Sequence, residues 1–320
     1  MNPLITLRVP ATSANLGSGF DAIGMAVSLY NIFKVMELLP ENEYRIEAHG
    51  EGSKELSDPE ANLVVRAYEQ ACKRWGVRGP GFFLWCHNII PLCRGLGSSA
   101  GAVVAGVLIA KQLTGYEADE AELLTVMTLI EGHPDNVAPC FLGGMAVSCW
   151  DGENLRYVSL PALPSEVLCV VAVPDERVRT SDARKALPKN VPFEDAVFNL
   201  GRAALLTAAW ATGKWEHLKW GMDDRLHQQY RSKLFKGGEV IFSRVRELPE
   251  CLSVAISGSG PSVIALVNGP TQRVAETMCK TFTEHGVRSQ FFVLDSSAQG
   301  PQVTVDMGLK DAIERVWRRD

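Results

Sequence analysis

Apolar and polar positions alternate over residues 4–9, Leu-Ile-Thr-Leu-Arg-Val, which is the pattern of a half-buried strand. Residues 10–20, PATSANLGSGF, read as a turn-rich loop, because Ser13, Asn15, Gly17 and Gly19 cannot share one regular element. The apolar stretch 22–29 predicts a second strand, and 30–39 with 44–48 an antiparallel pair around Pro40-Glu41-Asn42. A helix is predicted from Asp58, as N-cap with Pro59 at the first helical position, to about Trp75. The run 82–87 reads as a strand, the small apolar run 102–110 as a buried helix, and 117–131 as an amphipathic helix. Pro134 blocks helical continuation, so the polar cluster at 131–139 is expected on a loop or helix tip. Further on, the pattern gives strands at 145–150 and 168–173, a linker at 161–165 and a short helix or lid over 180–187. Helices follow at 195–213 and 215–234, then strands at 252–256 and 263–267. A helix at 271–285, a final strand at 289–294 and a tail helix at 309–319 end the series. Strands interleaved with helices imply an α+β fold with antiparallel pairing, divided at the linker into 1–163 and 164–320.

Composition narrows the partners. With 320 residues, 46% of them hydrophobic, the chain can bury a sizeable core. Its net charge of −5 gives no reason to expect nucleic acid or an anionic membrane as partner. The N-terminus lacks the pattern of a signal peptide, and the longest apolar run is far short of a membrane span. Eight cysteines without C-x-x-C spacing suggest neither a zinc site nor a redox pair, and most read as small buried hydrophobes in a reducing cytoplasm.

Candidate chemistry centres on residues 91–101, PLCRGLGSSAG, between a strand and a helix. Glycines admit a ligand close to the main chain, and a helix N-terminus offers unpaired N–H groups, so the stretch is a candidate phosphate cradle. It matches neither the Gly-Lys-Ser/Thr loop nor G-x-G-x-x-G. It reads equally as a tight turn with Ser98 or Ser99 as N-cap. Glu131 ends a helix, where the dipole favours cations; a bound divalent cation would explain it, as would simple solvation. Arg177, Arg179, Arg184 and Lys185 suit phosphate or carboxylate, or a solvated basic face. The second glycine loop, 257–262, is either a hairpin turn or a wall closing on a ligand.

Three stretches, 10–21 (PATSANLGSGFD), 90–100 (IPLCRGLGSSA) and 255–266 (AISGSGPSVIAL), resemble in order and spacing the motifs of the GHMP small-molecule kinases. Within that family, EGHPDNVAP at 131–139, TSDAR at 180–184 and LHQQYR at 226–231 are similar to the homoserine kinases. The resemblance implies an N-terminal domain like ribosomal protein S5 domain 2 and a C-terminal ferredoxin-like layer, with ATP and substrate between them. It implies that Pro91, Arg94, Gly95, Leu96, Gly97, Ser98, Ser99 and Ala100 wrap the ATP phosphates and that Asn62 lies near the adenine. Ser98 or Ser99 would hold Mg²⁺ with Glu131. Asn15 and Asp21 would hold L-homoserine, Asp21 facing its ammonium group. His133, Asn136, Thr180, Arg184 and Arg231 would line the same pocket, the arginines facing the carboxylate, and Gly258, Ser259 and Gly260 would complete its wall. The catalytic set implied is Asn136, Arg184, Ser98 and Glu131. Mevalonate kinases place an aspartate where Asn136 stands. An amide cannot act as a base, so positioning and charge neutralisation are expected to carry the reaction. The chain departs from the family at Ser18, usually proline, and at Ala100-Gly101, usually alanines. A GHMP kinase for another small alcohol and a regulatory nucleotide-binding module are the alternatives. Phosphorylation in threonine biosynthesis, competition by L-threonine and a homodimer are further expectations.

Overall fold

A computed structural model describes residues 2–318, whose strands sort into two sheets. In chain order the first half holds β1 (Ile5–Ala14), β2 (Ile23–Leu39), β3 (Tyr44–Gly50), α1 (Ser53–Leu56), α2 (Leu63–Trp75) and β4 (Gly81–Asn88). Then come α3 (Ser98–Thr114), α4 (Glu120–Glu131), α5 (Pro134–Leu142), β5 (Met145–Trp150) and β6 (Leu155–Leu160). The second half begins with β7 (Val167–Pro174), α6 (Thr180–Lys185), α7 (Phe193–Thr212), α8 (Leu218–Gly221), α9 (Gln228–Arg231) and α10 (Gly238–Arg246). It ends with β8 (Cys251–Ile256), β9 (Val263–Asn268), α11 (Gln272–Glu284), β10 (Ser289–Leu294), β11 (Gln302–Val305) and α12 (Leu309–Trp317).

The first sheet runs β11-β1-β2-β4-β3, with β5 and β6 continuing from β2. One long strand, β2, replaces the two expected at 22–29 and 30–39. It pairs with β1, β4 and β5, and its register against β1 shifts beside Pro10, which has no N–H to give the ladder. The expected antiparallel pair of 30–39 and 44–48 does not form. The carbonyls of Pro40 and Glu43 accept from the N–H groups of Gly81 and Phe82, so β4 takes the place beside β2. β3 lies parallel to β4 on its far side, joined to it through the α2 crossover that a parallel pair requires. The buried face of α2, including Val64, Ala67, Tyr68 and Ala71, packs with α3 on this sheet.

The second sheet runs β10-β7-β9-β8, all antiparallel. Ile241, Val245, Val274, Met278 and Phe282 of α10 and α11 cover one face. The other face faces a shared core in which Cys169, Val171 and Ile264 meet Leu16, Met25 and Leu96 of the first half and Leu206, Trp210 and Met222 of α7, α8 and the turn after it. This core joins the two halves and sets the cleft between them.

Three local expectations change, and a fourth is narrowed. α2 starts at Leu63 with Asn62 as its cap, while Asp58 only closes a turn through the N–H of Glu60. Of the loop or helix tip expected for 131–139, the tip holds: Glu131 ends α4, and Pro134 starts α5, because proline suits the first turn of a helix. The helix expected over 215–234 is broken after α8. There the Asp224 carboxylate accepts from the N–H groups of Leu226, His227 and Gln228 at 3.1, 2.9 and 2.7 Å, which turns the chain. Finally, 289–294 is not the last strand: β11 returns to pair with β1.

Candidate functional site

The loop after β4 is held where a side chain would not fit. A Cβ on Gly97 would lie 1.9 Å from Thr12 Oγ1, and one on Gly95 2.0 Å from the Ser257 carbonyl oxygen. Both glycines are left-handed, at φ 68° and 74°. Gly97 itself is the cap of α3 and no side chain caps the helix, so Ser98 and Ser99 are not N-caps but its first helical residues. The unpaired N–H groups of that first turn are chemically suited to hold an anion. Ser257 clasps the three glycine-rich loops together: its Oγ donates to the Gly95 carbonyl at 2.6 Å and lies 2.9 Å from Ser13 Oγ. Leu96 O accepts from Thr12 N, and Ala14 O from Gly258 N.

A cavity of about 330 Å³ opens at this knot. It brings together Asn15, Asp21, Asn62, Pro91, Gly95, Leu96, Gly97, Ser98, Ser99, Glu131, His133, Asn136, Thr180, Arg184, Arg231, Gly258 and Ser259. Three expected residues are not among its lining. Arg94 turns outward and donates to the carbonyls of Leu92, Pro174 and Asp175, tying the loop to the end of β7. Ala100 is fully buried in the first core. Gly260 lies in the β8–β9 turn, its N–H on the Ser257 carbonyl. Asn62 reaches the cavity, but its side chain is committed: Oδ1 accepts from Val64 N and Val65 N, and Nδ2 donates to the Leu56 carbonyl. Cys93 is exposed on the lining, unlike the buried cysteines 72, 86, 140, 169 and 251.

At the α3 end, Ser99 Oγ donates to Glu131 Oε1 at 2.5 Å. Burial pushes the Glu131 carboxyl above its ordinary 4.5, against the lowering effect of the Ser99 hydrogen bond. A desolvated carboxylate beside a hydroxyl is an oxygen donor set that fits a hard cation such as Mg²⁺. Among the described residues no cluster of three or more His, Cys, Asp or Glu could hold a metal by itself.

The start of α5 supplies the middle of the cavity. Asn136 Oδ1 accepts from Thr12 Oγ1 at 2.7 Å, and its Nδ2 lies 3.5 Å from Asp135 Oδ1. The buried Asp135 carboxylate also meets His133 Nδ1 at 2.5 Å. Burial disfavours a charged His133, but Asp135 and Glu131 outweigh it and hold its pKa above 6.5.

The opposite wall is charged. Asp21 and Arg184 form a two-pronged ion pair at 2.8 and 2.9 Å across the cleft. Arg231 is buried and donates to the Gly258 carbonyl at 3.1 Å, and burial lowers its pKa to about 10. Its guanidinium lies 5.0 Å from the centre of the Phe20 ring. The loop carrying Asp21 turns through left-handed Asn15, Leu16 and Gly17. Asn15 braces it, accepting from Asp21 N and donating to the Gly258 carbonyl. Ser18 ties it to α8 by donating to the Gly221 carbonyl at 2.6 Å.

Sequence reading missed the support beneath this loop. His227 is fully buried, with Nε2 2.8 Å from the Gly17 carbonyl and its ring against Phe20. Buried Asn199 donates to Ser18 O and to Asp224 Oδ1, and accepts from Arg225 N. The available signal was the clustering of Asp223, Asp224 and His227 in the helix expected over 215–234.

A family profile described as "GHMP kinases N terminal domain" matches residues 62–144. The chain is 41% identical over 298 residues to a homoserine kinase of Carboxydothermus hydrogenoformans, covering 93% of this chain and 96% of the relative. It is 41% identical over 286 residues to a homoserine kinase of Moorella thermoacetica, covering 89% and 94%. Its structure is similar to a crystal structure of homoserine kinase from Cytophaga hutchinsonii, with a TM-score of 0.82, 30% identity and coverage of 95% and 98%. A galactokinase of Lactococcus lactis, complexed with galactose, shares the fold at a TM-score of 0.72 and 14% identity, covering 93% and 95%.

Proposed function

The chain belongs to the homoserine kinases, a branch of the GHMP small-molecule kinases, and on that footing we propose how its cleft does the work. The enzyme transfers the γ-phosphoryl group of ATP to the side-chain hydroxyl of L-homoserine, giving O-phospho-L-homoserine and ADP, a step in threonine biosynthesis. The observation that carries the site reading is one cavity with two unlike walls: the bare first turn of α3 and its glycine loop on one side, and Asp21, Arg184 and Arg231 on the other.

In this proposal the ATP phosphates rest on the N–H groups of Gly95–Ser99, and the adenine lies against the Asn62–Val64 surface. Ser99 and Glu131 would hold Mg²⁺, with Ser98 as the neighbouring hydroxyl. When bound, Mg²⁺ neutralises charge on the phosphate oxygens. Homoserine is a zwitterion, so it replaces each half of the Asp21–Arg184 pair in turn. Its ammonium meets Asp21, and its carboxylate meets Arg184 and Arg231. Thr180, His133 and Asn136 complete the enclosure around the side-chain hydroxyl. That oxygen forms the new bond to γ-phosphorus as the bond to the β-phosphate bridging oxygen breaks. The hydroxyl proton leaves late, to a phosphoryl oxygen. Asn136 cannot accept it, and the buried Asp135 carboxylate is engaged by His133 and Asn136. Catalysis is then positioning and charge stabilisation.

Residues 1–163 would hold nucleotide and 164–320 complete the substrate wall. L-threonine carries the same ammonium and carboxylate and would compete at that wall, an inhibition that rising homoserine relieves. No helix among the described residues is long and apolar enough to cross a membrane, and eight free cysteines suit a reducing cytoplasm. The reading is tested by ADP release from Mg²⁺-ATP with L-homoserine, L-threonine, L-serine, mevalonate and galactose. Turnover confined to L-homoserine is expected. Preferential turnover of mevalonate or galactose would discard the charged wall as the specificity element.

A further inference from the structure

A buried hydroxyl has one proton to give, and the group that takes it loses a choice of its own. Thr12, on β1, is fully buried and is not part of the cavity lining. The next residue, Ser13, turns to Ser257, so alternation along the strand turns Thr12 the other way, toward the start of α5. There Thr12 Oγ1 donates to Asn136 Oδ1 at 2.7 Å. The hydroxyl is held in place from behind as well. Thr12 N donates to the Leu96 carbonyl at 3.1 Å, and Gly97 comes so close that a Cβ on it would lie 1.9 Å from Thr12 Oγ1.

The two ends of an amide are almost the same size, so shape does not choose between them; hydrogen bonds do. Asn136 has two neighbours that choose. Thr12 gives a proton to one end. At the other, the Asp135 carboxylate accepts only, and Nδ2 lies 3.5 Å from its Oδ1. That contact is at the long limit for a hydrogen bond, so the shorter bond from Thr12 is the firmer constraint. Turned over, the amide would set its oxygen beside the carboxylate and leave the Thr12 proton without its acceptor. Nδ2 keeps a second N–H that no other group accepts among the described residues, and Asn136 lines the cavity.

We propose that Thr12 is a positioning residue for phosphoryl transfer. It fixes the Asn136 amide with its oxygen toward the buried strand and an N–H toward the homoserine hydroxyl. The proposal rests on the placement of Asn136 beside that hydroxyl. The hydroxyl oxygen takes the N–H on one lone pair and attacks the γ-phosphorus with the other, as the bond to the β-phosphate bridging oxygen breaks. Its proton, which an amide N–H cannot take, is left facing a phosphoryl oxygen and moves there. An amide free to turn would offer that proton its carbonyl instead, and would set an acceptor against the phosphoryl oxygens.

Steady-state kinetics of the full chain with Mg²⁺-ATP and L-homoserine tests this on two variants. Thr12→Val keeps the branched shape and removes the proton; Thr12→Ser keeps the proton. Thr12→Val should lower kcat about fivefold, the effect of one hydrogen bond, with both KM values within about twofold of wild type. Thr12→Ser should keep kcat within about twofold. In an Asn136→Ala background, itself about tenfold slower, Thr12 has nothing left to position, so adding Thr12→Val should change kcat by less than about twofold. Should Thr12→Val fail to fold, the smaller Thr12→Ala gives the same readings. Losses that multiply in the double variant overturn the proposal, because Thr12 then acts without Asn136. A raised KM for ATP at unchanged kcat overturns it as well, since the hydroxyl then only supports the phosphate loop. So does a Thr12→Ser variant as slow as Thr12→Val. Wild-type kcat in Thr12→Val beside a slow Asn136→Ala discards the proposal alone, whereas wild-type kcat in Asn136→Ala discards the placement of Asn136 and the proposal with it.

Discussion

The wall of the cleft proposed for phosphate is main chain fixed by packing, whereas the wall proposed for the amino acid is charged side chains fixed by one another. Gly95 and Gly97 sit against Ser257 and Thr12 with no room for a methyl group. Asp21 and Arg184, by contrast, have side chains 37% and 39% exposed and come from opposite halves of the molecule. A polyphosphate is the same in every reaction of such a kinase, so its cradle can be rigid. The alcohol defines the enzyme, and its wall is made of groups whose charges can change partner without moving the backbone.

The largest effect should come from adding one methyl to the rigid side. Gly97→Ala places a Cβ into the Thr12 hydroxyl at a left-handed position, and kcat/KM for ATP should fall by about a thousandfold, the scale of losing fixed main-chain donors. Steady-state kinetics at saturating homoserine measures it; a loss under tenfold would mean that the loop is as pliant as the opposite wall. Next comes the charged wall itself. Asp21→Asn and Arg184→Ala should each cut kcat/KM for homoserine by about a hundredfold, the worth of a charged hydrogen-bonded contact, while KM for ATP stays within a few-fold. Their melting temperatures should barely change, because a half-exposed ion pair contributes only about 0–1 kcal/mol. Equal losses against both substrates would erase the distinction between the walls.

Smaller effects sharpen the contrast at its centre. Asn136→Ala should lower kcat about tenfold by loosening the hydroxyl's surroundings, and Asp135→Asn should do no more. If Asp135→Asn instead lowers kcat about a thousandfold at unchanged substrate binding, Asp135 is a general base. The smallest effect concerns stability. Burial lowers the pKa of His227 below its ordinary 6.5, so the folded protein holds it neutral. Its share of stability is therefore present above pH 6.5 and lost as pH falls from there through the lowered value, where the unfolded chain takes up the proton first. His227→Gln keeps a donor for the Gly17 carbonyl and does not titrate. Denaturant melts from pH 7.5 to 5 should fall less steeply for the variant, by about 1 kcal/mol across the range.

The loops of the site were legible in the sequence because their chemistry is local. Glycines and serines at 95–99 and 257–260 announce tight turns wherever the chain carries them. The partners of those turns were not legible. Ser257 reads as one more loop serine until Gly95 and Ser13 are beside it, and Arg94 reads as a phosphate ligand until the Pro174 carbonyl claims it. Strand existence was readable for β3, but its pairing was decided by β4, which lies on the far side of a crossover helix. β11 left no clear trace, since its alternation runs over only four residues, all of them exposed. The apparent helix over 215–234 failed because one carboxylate, Asp224, satisfies three N–H groups that a helix would otherwise use.

With nucleotide and amino acid placed as proposed, the Ser257 clasp gives the two substrates a common thermodynamic fate. Its hydroxyl touches the phosphate loop and the first motif loop together, and the next residue's carbonyl receives both Asn15 and Arg231. A displacement that nucleotide imposes on one of these loops is imposed on the amino-acid wall as well. Whatever factor ATP adds to the affinity for homoserine, homoserine must then return in full to ATP.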